Sequence, residues 1–139
     1  TTKTEPDRTS THNYGESLGM AFQIKDDLFD LMGSENDTGK NSGGDVKKNM
    51  KTLPLIYSMS NMKGADKRRL KKLLKSKRKN NSILSEIHKI IEDTGGVDYA
   101  IGKLDEYSNR ALASISTYPD TIYKTALINL VNFNKSRVK

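Results

Sequence analysis

Three aspartates, Asp26, Asp27 and Asp30, stand close together in the stretch FQIKDDLFD at residues 22–30, among Leu, Ile and Phe. Neighbouring carboxylates repel one another, and burying a charge without a partner is costly. In a helix advancing about 100° per residue, Asp30 lies about 40° from Asp26, Gln23 about 60° and Asp27 about 100°, so all four share one side. Gly15 and Gly19 fall near the same line and leave that side without bulk. The other directions carry Leu18, Met20, Ala21, Ile24, Leu28, Leu31 and Met32, with Phe22 and Phe29 flanking the acids. A helix that is apolar nearly all round is expected inside a protein, with its acidic arc turned toward an internal cavity. Carboxylates with no His or Cys beside them suit a hard cation, Mg²⁺ or Mn²⁺. Magnesium keeps several waters and commonly shares its shell with substrate phosphates. Groups that could hold such phosphates follow in Lys40, directly after Gly39, and in Lys47, Lys48 and Lys51, with Asp45 among them. Gln23 can donate an amide hydrogen bond to a phosphate oxygen one turn before Asp26. The bland alternative is an exposed acidic turn, since short acidic motifs are common. The apolar surroundings and the Gly-Lys stretch weigh against it.

The elements that must position these groups read as helices throughout, so the expected fold class is all-α. Residues 1–13, TTKTEPDRTSTHN, lack apolar periodicity and are expected to be a polar linker or frayed start, the rest forming one domain from 14 to 139. A helix is expected from Tyr14 to about Met32, then a loop over GSENDTGKNSGGD at 33–45. A second helix is expected from near Val46 to Met62, with Pro54 forcing a kink or a fresh start. A basic helix over about 65–79 follows. The next runs from Ser82 or Ile83 to Thr94, with Ser82 as its N-cap and Gly95-Gly96 as its stop. Two more, over about 97–118 and 120–134, are separated by Pro119. No stretch reads as a strand, and no internal repeat is present.

Composition narrows the function classes. There is no cysteine, hence no disulfide framework and no thiolate metal site. No apolar run approaches membrane-spanning length, and the first residues lack a signal-peptide pattern. A cytoplasmic location is therefore expected. The net charge of +7 is concentrated: residues 63–79, KGADKRRLKKLLKSKRK, hold ten Lys or Arg against one Asp, so the remainder is slightly acidic. Leu70, Leu73 and Leu74 give this run a narrow apolar stripe, and its cations read first as a solvated face. Peripheral contact with an anionic membrane is the next reading, and nucleic acid is not expected. His12 and His88 read as incidental surface residues, and the six tyrosines show no base-stacking pattern.

YGESLGMAFQIKDDLFDLMG, then TGKNSGGD, then KTLPLIYSM, resemble in order and spacing the second half of the trans-isoprenyl diphosphate synthases, the polyprenyl synthetase family. That family's second aspartate-rich motif has the form FQxxDDxxD, followed by a GK loop, a G-x-D and a TLP segment. The resemblance continues more weakly to the end of the chain. GKN and TLPLIY look most like the long-chain bacterial branch, of octaprenyl type. The resemblance implies a helical bundle around a central cavity, usually a homodimer. It implies condensation of isopentenyl diphosphate with an allylic diphosphate, using Mg²⁺ held by two aspartate-rich helices. Carried over to this sequence, Asp26 would ligate Mg²⁺, with Asp27 and Asp30 acting directly or through water. Gln23 and Lys40 would hold the allylic diphosphate, and Lys51, Arg137 and Lys139 are further diphosphate contacts. No catalytic side chain is assigned.

The departures define what else is needed. The first aspartate-rich motif and the isopentenyl diphosphate site belong to the family's N-terminal half, which this sequence does not contain and which is therefore an expected partner. Lys3-Thr4 lies too close to the FQ dipeptide to serve as the family's upstream Lys-Thr pair. Met50 stands where the family places a diphosphate-binding lysine, and Lys51 is one residue, about 100° of helix, out of phase. The chain alone is expected to be inactive. The rival readings are a non-catalytic member of the family and, from another class, a basic helical nucleic-acid-binding module.

Overall fold

In the computed structural model, residues 5–32, 52–76 and 80–137 are described, and every regular element among them is an α-helix. In chain order these are α1 (Glu5–Met32), α2 (Leu53–Asn61), α3 (Gly64–Lys75), α4 (Asn81–Asp93), α5 (Gly96–Ser114) and α6 (Ile122–Ser136). The all-α expectation holds. The loop expected at 33–45 and the start of the second helix near Val46 lie outside the described residues.

The polar start is the first correction. α1 begins at Glu5, so residues 5–13 are helix rather than linker. The missing apolar periodicity is offset by side-chain tethers. Tyr118 donates its hydroxyl to the Asp7 carbonyl at 3.1 Å, and the Thr11 and Tyr118 hydroxyls lie 3.2 Å apart. The cap of α4 is the second. Asn80, not Ser82, caps it, its side chain accepting from the Ile83 N–H at 3.0 Å, which leaves Ser82 inside the first turn. The last boundary also moves. α5 stops at Ser114 and its chain tightens through i→i+3 bonds up to Tyr118. Lys124 then donates to the Ser116 and Tyr118 carbonyls, at 3.0 and 2.7 Å, from within α6. That helix starts after its N-cap Thr121 rather than at Asp120.

The chain divides into two compact units. One is formed by residues up to Lys25 together with those from Gly102 onward. Its core joins Tyr14 and Leu18 of α1 with Ala111, Ile115 and Val131. The Tyr14 hydroxyl donates to the Leu127 carbonyl at 2.8 Å, and Lys135 pairs with Asp105 at 2.8 Å. The other unit is Asp26–Ile101. Its core gathers Leu31, Leu55, Met62, Leu70, Leu84, Ile87 and Ile91, with α2 and α3 both packed on α4. His88, read as a surface residue, is buried here. It follows Leu84 by one turn and adjoins Ile87, so it falls on the same inward arc. His12 is exposed, as expected, 3.9 Å from Glu16.

Gly95 and Gly96 divide the work of ending α4. Gly95 has φ +75°, a left-handed value that glycine adopts without strain. Gly96 is needed for closeness. A Cβ there would meet Ser58 Oγ at 2.5 Å, the Pro54 carbonyl at 2.6 Å and Ile91 Cγ2 at 2.9 Å. Gly96→Ala is expected to destabilise the chain by about 2 kcal/mol, the usual range for overpacking, read as a lower denaturant midpoint.

Burial holds the Tyr14 phenol above its ordinary pKa of 10.0. Ionisation therefore favours the unfolded chain first, and the contribution of Tyr14 is complete below that value and lost as pH rises through it. Tyr14→Phe should cost about 1 kcal/mol at neutral pH through the lost hydrogen bond. The gap between wild type and variant should shrink as pH passes about 10, measured by urea unfolding across the alkaline range.

Candidate functional site

The acidic arc lies on α1 as the spacing requires, but α1 is not apolar all round. Ser17, Leu18, Ala21, Ile24, Leu28 and Leu31 are buried. Set on a helical wheel, they fill an arc of roughly 140° centred opposite Asp26 and Asp30. Gln23 and Asp26 are exposed, Asp27 and Asp30 half-buried, and Met20 is 41% exposed. A side chain placed at Gly15 or Gly19 would meet nothing. The enclosed cavity expected around the acids is therefore absent among the described residues. The arc is instead an open face, bare of bulk on its N-terminal side. Residues on opposite sides of one helix do different work: one side packs and the other carries the polar groups.

The acids are not equivalent. Asp27 Oδ2 accepts a hydrogen bond from the Leu53 backbone N–H at 3.0 Å. Leu53 is the first residue of α2, where the amide has no partner within its own helix. Pro54 follows and contributes no N–H, which leaves fewer amides to satisfy. Thr52 occupies the N-cap with extended backbone (φ −74°, ψ 156°), yet its hydroxyl makes no capping bond. The Asp27 carboxylate does that job from another helix, where its charge also meets the positive end of the α2 dipole. The TLP segment is thereby fastened to the acidic helix. Thr52 Oγ1, on a residue only 4% exposed, finds no hydrogen-bond partner among the described residues. A buried hydroxyl in that condition is a place where a ligand oxygen or bound water fits.

Of the other candidates, Arg137 is described. It ends α6, and its guanidinium lies 5.1 Å above the centre of the Phe22 ring, a cation–π contact that brings the basic C-terminal stretch onto α1 next to Gln23 in sequence. Lys25 secures the same end by donating to the Lys135 carbonyl at 3.0 Å. Lys40, Lys51 and Lys139 lie outside the described residues, as do Asp45, Lys47, Lys48 and Met50. Among the described residues no three carboxylate or imidazole groups converge as a metal cluster. Hard oxygen donors on an open face nevertheless suit a cation whose remaining shell is filled by phosphate and water. The Asp27 cap and the Arg137 stack were not read from the sequence. Pro54 in the first turn signals a helix start, but nothing local names the distant carboxylate that caps it.

Residues 1–91 match the family model described as polyprenyl synthetase. The chain belongs to the polyprenyl synthetase family. A similar curated relative is the all-trans-nonaprenyl-diphosphate synthase (geranyl-diphosphate specific) of Rhodobacter capsulatus, 30% identical over 95% of this chain and 40% of the relative. Among solved structures, geranylgeranyl pyrophosphate synthetase from Pyrococcus horikoshii superposes with a TM-score of 0.87 at 28% identity, covering 99% of this chain and 41% of that one. Geranylgeranyl pyrophosphate synthase from Corynebacterium glutamicum, solved with calcium and isoprenyl diphosphate, gives a TM-score of 0.75 at 29% identity over 93% of this chain and 40% of that one. The chain thus spans about 40% of the length of the curated relatives it matches first. No helix among the described residues is long and apolar enough to cross a membrane.

The two acids should separate by experiment. Asp27→Asn weakens a charge-assisted cap and Asp27→Ala removes it, the latter expected to cost about 1 kcal/mol of stability. Asp26→Ala, on the exposed side, should change stability by less than about 0.5 kcal/mol. Chemical denaturation of the variants checks both.

Proposed function

We propose that this chain supplies the second aspartate-rich half of a polyprenyl diphosphate synthase site. The reaction is Mg²⁺-dependent head-to-tail condensation of isopentenyl diphosphate with an allylic diphosphate, lengthening a prenyl chain and releasing diphosphate. The observation that carries the reading is the FQIKDDLFD arc, exposed on an otherwise inward-packed helix and tied through Asp27 to the TLP segment. The calcium and isoprenyl diphosphate present in a similar structure support it.

In this reading Asp26 and Asp30 hold the cation. Asp27, with Oδ2 committed to Leu53, contributes its other oxygen or acts through bound water. Gln23 orients a diphosphate oxygen by its amide N–H, and Lys40 and Lys51 balance the diphosphate charge. Arg137 and Lys139 are further basic contacts for the diphosphate in this reading. Bound Mg²⁺ supplies charge neutralisation of the departing diphosphate. An electron-poor allylic carbon must also be kept from water, which the open arc with its flanking Phe22 and Phe29 does not do alone. The share of the relatives' length that this chain does not span supplies the first aspartate-rich motif and the acceptor site, in a homodimeric, cytoplasmic enzyme.

Incorporation of radiolabelled isopentenyl diphosphate, measured with the N-terminal half supplied, tests this directly. Mg²⁺-dependent prenyl product is expected, with Asp26→Ala lowering the rate at least about a hundredfold. A second reading, a non-catalytic member of the family, is favoured by Met50 in the place of the family's lysine. A folded complex that binds diphosphate yet makes no product would establish it instead.

A further inference from the structure

The basic helix takes part in neither the acidic site nor, beyond one stripe, the core. α3 packs on α4 through Leu70, which is fully buried, and through the half-buried Leu73 and Leu74. Lys71, Lys75, Arg68, Lys72 and Arg69 occupy the opposite side, an arc of roughly 160° about the helix axis, and all five are exposed. Asp66, the one acid of the helix, lies in its first turn, away from the cationic arc. Within the described residues only Arg69 of the five makes an ion pair, its Nε 2.7 Å from Glu86 Oε1. Arg68, Lys71, Lys72 and Lys75 are therefore four like charges on two turns without a partner in the described residues, an arrangement that weakens the helix unless counter-charge comes from outside. At the end of α3 a groove of about 590 Å³ is lined by Lys72 and Lys75, the aliphatic Leu73 and Ile83, and the Arg69–Glu86 ion pair, in which the one acid is already matched.

We propose that α3 is an electrostatic docking surface for an anionic lipid membrane. The broad cationic arc of a short helix matches a plane of phosphate headgroups, which attracts each nearby Lys or Arg within about a Debye length. The groove, with cations beside aliphatic side chains, suits an amphiphile. The exposed arc bears no apolar side chain larger than the methyl of Ala65, so the helix adsorbs without inserting. It also bears no aromatic ring on which a base could stack, which disfavours single-stranded nucleic acid. The choice of lipid rests in part on the proposed function, because a lengthening hydrocarbon tail leaves water for a bilayer. Docking α3 on the membrane shortens the transfer of that product to the enzyme class that next uses it, one attaching the tail to an acceptor at the bilayer.

Flotation of the full chain with vesicles tests this without substrates, so it stands or falls separately from turnover. Binding is expected to phosphatidylcholine vesicles containing about one-third phosphatidylglycerol, not to phosphatidylcholine alone, and to fade by about 0.5 M salt. The combined variant Arg68→Gln, Lys71→Gln, Lys72→Gln and Lys75→Gln should bind on the order of a hundredfold more weakly while keeping its helical circular dichroism. The variant Lys71→Arg, Lys72→Arg and Lys75→Arg should bind as wild type does, as should Asp26→Ala, which instead abolishes chain elongation. Equal binding to neutral vesicles, or binding undiminished in the glutamine variant, overturns the proposal. Tighter binding to duplex DNA than to the anionic vesicles overturns it in favour of nucleic acid.

Discussion

α1 has to satisfy two environments at once, and the rest of the structure is arranged around that demand. One arc of the helix carries Leu18, Ala21, Ile24, Leu28 and Leu31 into the interior, while the opposite arc keeps Gln23 and Asp26 in contact with solvent. The burial stabilises each unit by roughly 25 cal/mol for every Å² of apolar surface removed from water. The acids could not share that interior without partners. Sidedness solves the conflict without a buried ion cage, because the exposed acid stays on the solvent side of the helix.

Asp27 stands at the edge between the two arcs and belongs to both. Its half-buried carboxylate has a fixed donor in the Leu53 amide, so its charge is satisfied by a helix terminus before any metal arrives. The consequence is mechanical. The start of α2, and with it the buried Thr52 hydroxyl, is registered against the acidic helix by one hydrogen bond. Behind that start, Gly96 lets Pro54 and Ser58 approach the beginning of α5 more closely than any side chain would permit. Two sequence features that look independent, a TLP segment and a Gly-Gly pair, thus meet on the same helix.

Much of this was legible in the sequence because it is local. Helical periodicity, Pro and Gly punctuation, and a four-part motif in order are enough for an all-α fold of the polyprenyl synthetase family and for the side on which Asp26 and Asp30 sit. What escaped was relational. The reading of α1 as apolar nearly all round counted Met20 with the inward residues, although it is 41% exposed, and Phe22, beside the acids, packs on the core only in part. His88 looked incidental because a lone histidine carries no periodic signal of its own; its burial follows from Leu84, Ile87 and Ile91 around it. Residues 5–13 looked like linker because their helix is tethered by Tyr118, more than a hundred positions away. Asn80 was passed over as a cap for Ser82 because both types serve, and only the geometry of the Ile83 amide decides between them.

The central claim is that the exposed arc of α1 binds a divalent cation and a diphosphate as one unit, through Asp26. Equilibrium binding of radiolabelled inorganic diphosphate to the chain, with and without Mg²⁺, measures this directly. Binding should require Mg²⁺, Mg²⁺ affinity should rise equally when diphosphate is present, as linkage demands, and Asp26→Ala should abolish both effects while the fold persists. Diphosphate binding that is independent of Mg²⁺, or that survives in a folded Asp26→Ala variant, contradicts the claim.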